Sequence, residues 1–180
     1  MQKTSFHFSI YFIVYILSGC EPGIRVNLSE LITTKGLTYY KENRFTGVGY
    51  SGYDNASDQV LVEFVKGKKH GKIVSWYPGG QIKNSGKLDR GKKVGVHLGY
   101  WPDGSLRYKK SYNKKGLMHG KQEQWHMNGN LARLSNYNSG REDGHQKGWR
   151  ENGELRYNYQ IVNNKRYGFM GAKVCVLPSI

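Results

Sequence analysis

Beyond residue 67 the chain alternates apolar and polar positions with period two. One set collects Ile82 and Leu88, then Leu106, Tyr108 and Tyr112, then Leu131 and Tyr137, then Leu155, Tyr157, Tyr159 and Ile161. The interleaved set carries Lys83 and Lys87, Arg107 and Lys109, and Arg156 and Asn158. Two-residue periodicity with one apolar face predicts antiparallel strands wetted on one side. Between the runs, Gly79-Gly80, Asp103-Gly104, Asn128-Gly129 and Asn152-Gly153 read as two-residue hairpin turns, which need positive φ. The other connections carry Gly91, Gly116 and Gly140, with Asn164 in the last copy. Asparagine tolerates left-handed backbone next best after glycine, so this exception fits.

The pattern repeats at a fixed period. "GKKHGKIVSWYPGGQI" at 67–82 returns as "GKKVGVHLGYWPDGSL" at 91–106. Gly47, Gly71, Gly95, Gly120, Gly144 and Gly168 recur at spacings of 24, 24, 25, 24 and 24. Around the middle four the motif is G-x-x-x-G, an aromatic five residues on, a turn, then an aliphatic residue: "WYPGGQI", "YWPDGSL", "WHMNGNL" and "WRENGEL". Self-similarity over this many copies marks a repeat architecture. The expected fold class is all-β, an elongated single-layer antiparallel meander of β-hairpin repeats of 24 residues or so, preceded by a signal peptide. Trp76, Tyr100, Trp125 and Trp149 share one repeat position and are candidates for an aromatic ladder. Regularly spaced aromatics of this kind mostly pack over neighbouring glycines, and a ligand platform is the alternative.

These units resemble the variant MORN repeats of bacterial envelope proteins, the YwqK-type antitoxin group. The resemblance rests on "GKKHG…WYPGGQI", "GKKVG…YWPDGSL", "GLMHG…WHMNGNL" and "GREDG…WRENGEL", with a degenerate copy at 44–57 and a truncated one at 164–175. It implies a module for membrane recognition or protein interaction and carries over no catalytic residues.

Composition narrows the partners. Hydrophobic residues make up only 37% of the 180, while Tyr contributes 14 and Gly 24, a vocabulary of short strands and tight turns rather than one deep core. The formal charge of +15 implies an anionic partner, or a solvated basic face with no dedicated ligand. Candidate anion-binding residues are Lys68, Lys69, Lys92, Lys93, Lys109, Lys110, Lys114 and Lys115.

The N-terminus reads as an address. Lys3 precedes an apolar run, Phe6 to Leu17, that is short for a membrane span. It ends in Leu17-Ser18-Gly19-Cys20, which resembles a bacterial lipobox and implies cleavage before Cys20 with lipid on its thiol. Such a protein sits in the cell envelope, at the inner or the outer membrane, and nucleic acid drops away as a partner. The antitoxin role is not carried over, because an exported lipoprotein would not meet a cytoplasmic toxin. The expected organisation is signal peptide at 1–19, lipid-anchored tether at 20–35, degenerate N-terminal hairpin repeat at 36–66, four hairpin repeats at 67–162 and a truncated capping repeat at 163–180. Within this, 36–47 reads as the first hairpin.

Catalytic chemistry is not indicated. His70 and His119 lie two repeats apart, on the order of 19 Å in a sheet, too far to share a metal. His97 and His145 follow the repeat glycines, and His119 and His126 have only each other across a hairpin. No paired carboxylates and no nucleophile elbow are evident, so no enzyme, metal or cofactor is expected. Cys175 is the residue the repeat does not explain. With Cys20 lipidated it has no partner, which makes it either a candidate reactive thiol or a buried cysteine of the closing strand. Three functional readings follow. The first is an interaction scaffold presenting a basic, aromatic-rich sheet to an envelope protein. The second is an electrostatic binder of anionic lipid headgroups or acidic polysaccharide, and the third a thiol- or metal-handling accessory acting through Cys175.

Overall fold

The computed structural model describes residues 24–53 and 58–170; the leader, Cys20 and Cys175 lie outside them. Fifteen strands follow one another: β1 (Arg25–Asn27), β2 (Ile32–Thr34), β3 (Leu37–Tyr40), β4 (Asn43–Arg44), β5 (Gly47–Gly52), β6 (Asp58–Val65), β7 (Lys68–Trp76), β8 (Ile82–Asp89), β9 (Lys92–Tyr100), β10 (Leu106–Tyr112), β11 (Gly120–Trp125), β12 (Leu131–Asn138), β13 (Arg141–Trp149), β14 (Leu155–Val162) and β15 (Lys165–Phe169). Twelve of them form one open sheet in the order β1-β5-β6-β7-β8-β9-β10-β11-β12-β13-β14-β15. From β5 onward, sheet order equals chain order and neighbours are antiparallel, the meander expected from the repeat.

The N-terminal end departs from a single layer. β2, β3 and β4 make a separate three-stranded sheet, and β1 adds to the main sheet parallel to β5. Residues 25–34, placed in the tether by sequence, therefore hold β1, a 3-10 turn (Leu28–Glu30) and β2. The 36–47 hairpin forms around Lys41-Glu42, but as β3 and β4 of the small sheet. Backbone bonds dock that sheet on the first repeat: Thr38 N donates to Gly67 O at 2.8 Å, and Gly67 N donates to Phe45 O at 2.7 Å. Beneath it lies the apolar core of Val26, Phe45, Val62, Phe64 and Leu88, with Leu28, Leu31, Tyr40 and Ile73 against it. Each such buried aliphatic or aromatic side chain contributes about 1.5–3 kcal/mol.

The two kinds of turn exchange the roles expected from sequence. Asp103-Gly104 and its equivalents are not two-residue turns. Trp101 N donates to Ser105 O, and Gly104 N donates back to Trp101 O at 2.9 Å, closing a three-residue loop in which Gly104, and not Asp103, has positive φ. The Asp103 carboxylate explains this: it accepts from Ser105 N and Oγ, an Asx turn that holds Asp103 out of the left-handed region. Asn128 and Asn152 accept from Asn130 N and Glu154 N in the same way. In the main sheet the two-residue turns with both φ positive are Lys66-Gly67, Arg90-Gly91, Ser139-Gly140 and Asn163-Asn164. The one spacing of 25 inserts a residue at Asn113–Gly116, which becomes a three-residue loop closed by Asn113.

The repeat glycines Gly71, Gly95, Gly120 and Gly144 sit in bulges. Between β8 and β9 the register jumps from Ser85↔Leu98 to Lys87↔Val94, so Gly86 opposes Gly95, Val96 and His97. Gly95 has φ 67, a conformation a side chain resists. A bulge strips ladder bonds from the facing strand, and the residue two after the glycine supplies them again. His97 Nε2 donates to Lys87 O at 2.9 Å. Gln122 accepts from Ser111 N and donates to Ser111 O, both at 3.0 Å. Gln146 donates to Asn136 O at 2.7 Å. Hence the sheet's interior is apolar only under the small sheet, at Ile73, and turns polar beyond it: His97, Gln122, Ser135 and Gln146 are all buried.

Candidate functional site

Register defines the faces, because residues paired across strands share one. A row runs Ser75↔Asn84↔Gly99↔Tyr108↔Gln124↔Arg133↔Gly148↔Tyr157. A Cβ on Gly99 would fall inside the Tyr108 ring, and one on Gly148 inside the Tyr157 ring. These tyrosines, rather than the Trp76, Tyr100, Trp125 and Trp149 series, lie over the glycines. The four series residues are half-buried and pair across strands with Ile82, Leu106, Leu131 and Leu155 respectively. No two of their rings stack on each other among the described residues.

Around Tyr108 the structure gathers cations. Lys110 Nζ lies 4.9 Å from the Tyr108 ring centroid, and the Arg107 guanidinium lies 5.3 Å from that ring and 5.5 Å from Trp101. Lys93 Nζ stands 5.7 Å from the Tyr112 ring, which meets His97 edge-on at 5.1 Å. The Tyr108 hydroxyl donates to Asn84 Oδ1 at 2.8 Å, and Arg107 donates to the same oxygen at 3.3 Å. A second bulge, in the β9–β10 hairpin, sets this geometry. Leu106 pairs with Tyr100 and Tyr108 with Gly99, leaving Arg107 as the extra residue, turned toward Tyr108. In the preceding copy Lys83 holds this place and lies 5.4 Å from Tyr77.

The electrostatics are one-signed. Partial burial lowers the Lys110 pKa first, and Lys93, Arg133 and Arg107 push it further in the same direction. Arg133 is tied to Glu142 at 3.2 Å. Lys93, Arg107 and Lys110 have no carboxylate partner among the described residues. Burial also raises the Tyr112 pKa, so the phenol stays neutral. A half-buried ammonium among like charges, with aromatic faces beside it, is an anion-receptive arrangement.

The eight lysines singled out in the sequence do not form one surface. Lys109 and Lys110 are neighbours on β10, so they point to opposite faces. The same parity divides Lys68 from Lys69 and Lys92 from Lys93. Lys114 and Lys115 are exposed in the Asn113–Gly116 loop. Arg107 and Arg133 complete the cluster and were missed, since strict alternation puts Arg107 on the other face. The signal that finds Arg107 is the bulge, one residue after the aliphatic Leu106, whereas Arg133, two residues after Leu131, takes the register place that Tyr108 holds in its own copy. The histidines are engaged locally: His70 with Asp89 at 3.1 Å, and His126 with Trp149 O at 3.0 Å. His119 and His126 flank opposite ends of β11, so they do not approach. No group of three metal-ligating side chains occurs among the described residues.

The described residues thus form an open sheet of bulged hairpin repeats with a cationic, aromatic face. The MORN repeat variant model matches residues 93–114 and 118–139, which supports the repeat reading of these two stretches, and the matched residues include Lys93, Arg107, Tyr108, Lys110, Tyr112 and Arg133. No curated protein matches the chain. Among solved structures, a mutant of S. aureus TarM in complex with fondaparinux, alpha-GlcNAc-glycerol and UDP shares 13% identity at a TM-score of 0.26. That likeness covers 79% of this chain and only 22% of the other, and it supports no argument about fold or function.

Proposed function

We propose that the protein is a non-enzymatic, lipid-anchored scaffold of the bacterial envelope whose Lys93–Arg107–Lys110 face receives an acidic segment of a protein partner. The observation that carries this reading is Lys110, half-buried among Lys93, Arg107 and Arg133 with no carboxylate beside it. An acidic partner relieves that repulsion, and the rings of Trp101, Tyr108 and Tyr112 offer it apolar contact as well. MORN repeats are interaction repeats rather than catalytic ones, which agrees with this use. The envelope location rests on the Leu17-Ser18-Gly19-Cys20 motif of the leader. Loss of fatty-acid labelling in Cys20→Ser is the expected result for that part.

Affinity capture from an envelope extract tests the scaffold, comparing the wild type with Arg107→Gln/Lys110→Gln through low-salt and high-salt washes. The expected result is one defined protein held by the wild type at high salt and lost from the variant. Capture of lipid or acidic polysaccharide alone, all eluting as salt rises, overturns the scaffold reading in favour of a purely electrostatic surface.

A further inference from the structure

A second basic site lies outside the matched repeats. Where the three-stranded sheet meets the first repeat there is a cavity of 410 Å³, lined by Leu37, Arg44, Val65, Lys66, Lys68, His70 and Arg90. Five of these seven residues are basic and none is acidic. Asp89 engages His70 Nδ1 at 3.1 Å, which compensates one of the five. Arg44, Lys66, Lys68 and Arg90 have no carboxylate partner among the described residues.

The walls are fixed by backbone. Lys66 and Arg90 each open a two-residue turn at φ 48, so their side chains leave from defined positions. The first turn is tied to the small sheet through Thr38 N to Gly67 O at 2.8 Å, and Lys66 N donates to Thr46 Oγ1 at 2.9 Å. The second is tied to β7, with Gly91 N donating to Lys69 O at 2.7 Å. Chain segments distant in sequence thus bring four uncompensated, solvent-exposed cations to one concave place.

We infer that this cavity is a binding site for a phosphomonoester group. Two guanidinium forks and two ammonium groups suit a doubly charged tetrahedral oxyanion better than a single carboxylate. The volume exceeds a bare phosphate and falls within the range of small-ligand sites, so the carbon skeleton bearing the phosphate lies against Leu37 and Val65. That skeleton belongs either to a soluble sugar phosphate or to a lipid whose headgroup ends in phosphate.

The test is titration of the full chain in detergent with inorganic phosphate and with glucose 1-phosphate, each matched by sodium chloride at equal ionic strength, and with vesicles containing phosphatidic acid. Arg44→Gln and Arg90→Asn are the variants, the second chosen because asparagine accepts the left-handed backbone of that turn. Saturable binding is expected, weakened about tenfold or more in each variant that folds, as judged by an unchanged circular dichroism spectrum. Lys165→Gln, a charge-matched change in β15, should bind as the wild type does. Binding of glucose 1-phosphate in solution assigns a soluble ligand, and binding to vesicles alone assigns a lipid. Absence of saturable binding, equal binding with chloride, or wild-type affinity in both arginine variants overturns the inference.

Discussion

The hydroxyl of Tyr77 donates to the backbone carbonyl of Tyr100 at 3.0 Å, one repeat further on. Tyr53 makes the same bond to Trp76 O, and His126 to Trp149 O, each at 3.0 Å. The residues after Trp76 and Trp125 therefore fasten their hairpins to the next, as Tyr53 does at the start of the repeats. Trp101 holds the same place, yet its Nε1 is buried without a partner. Tyr77→Phe should cost about 1 kcal/mol, the net worth of one such bond, measured as a shift in urea midpoint at unchanged m-value.

Gln122 serves a bulge rather than a ligand. Gln122→Leu keeps much of the volume but strands Ser111 N, which donates to Gln122 at 3.0 Å, while Ser111 O keeps the bond from His119 N. A stranded buried group costs about 1–3 kcal/mol, so the substitution should destabilise more than its hydrophobicity suggests. Equilibrium unfolding of the variant reads this directly. A stability equal to wild type would mean that water takes over the bond from Ser111 N.

His97 supplies a pH dependence whose sign can be stated. Burial, foremost, and then Lys93 hold its pKa below the ordinary histidine value, against the opposing hydrogen bond to Lys87 O. The folded chain thus binds this proton less readily than the unfolded chain does. Its contribution is complete above the unfolded pKa of about 6.5, declines as pH falls through that value, and levels off once His97 protonates in the fold. His97→Gln mimics the equivalent Gln122 and Gln146, and should flatten this part of the stability profile as pH falls below about 6.5. Thermal unfolding across that range measures it.

Gly99→Ala should displace the Tyr108 ring and with it the hydrogen bond to Asn84 Oδ1. Overpacking of this kind typically costs about 1–3 kcal/mol. Because Arg107 and Lys110 both lie over Tyr108, the same variant should weaken binding at the cationic face, read by the Tyr108 ring resonances and by affinity together.

The period, the strand order and the positive φ of Gly91, Gly116, Gly140 and Asn164 were legible in the sequence, because each follows from local residue type repeated in register. The bulges were not. A strand with an extra residue looks like an unbroken one, so Arg107 was assigned by simple parity to the face opposite Tyr108. The Asp-Gly turns misled for a related reason: Asp103 accepts from its own backbone two residues on, which selects a three-residue loop over a two-residue turn. The basic cavity was invisible, since it depends on the small sheet meeting the Lys66-Gly67 turn, a pairing that no repeat encodes.

The claim that matters most is that the Lys93–Arg107–Lys110 face is the binding surface. The direct measurement is equilibrium binding of a fluorescent polyglutamate peptide to the full chain and to Arg107→Gln/Lys110→Gln, with Lys109→Gln/Lys147→Gln from the opposite face as the charge-matched control. The account predicts that affinity drops about tenfold or more in the first variant and little in the second. Equal losses in both variants would show that net charge alone, and not this face, draws the anion.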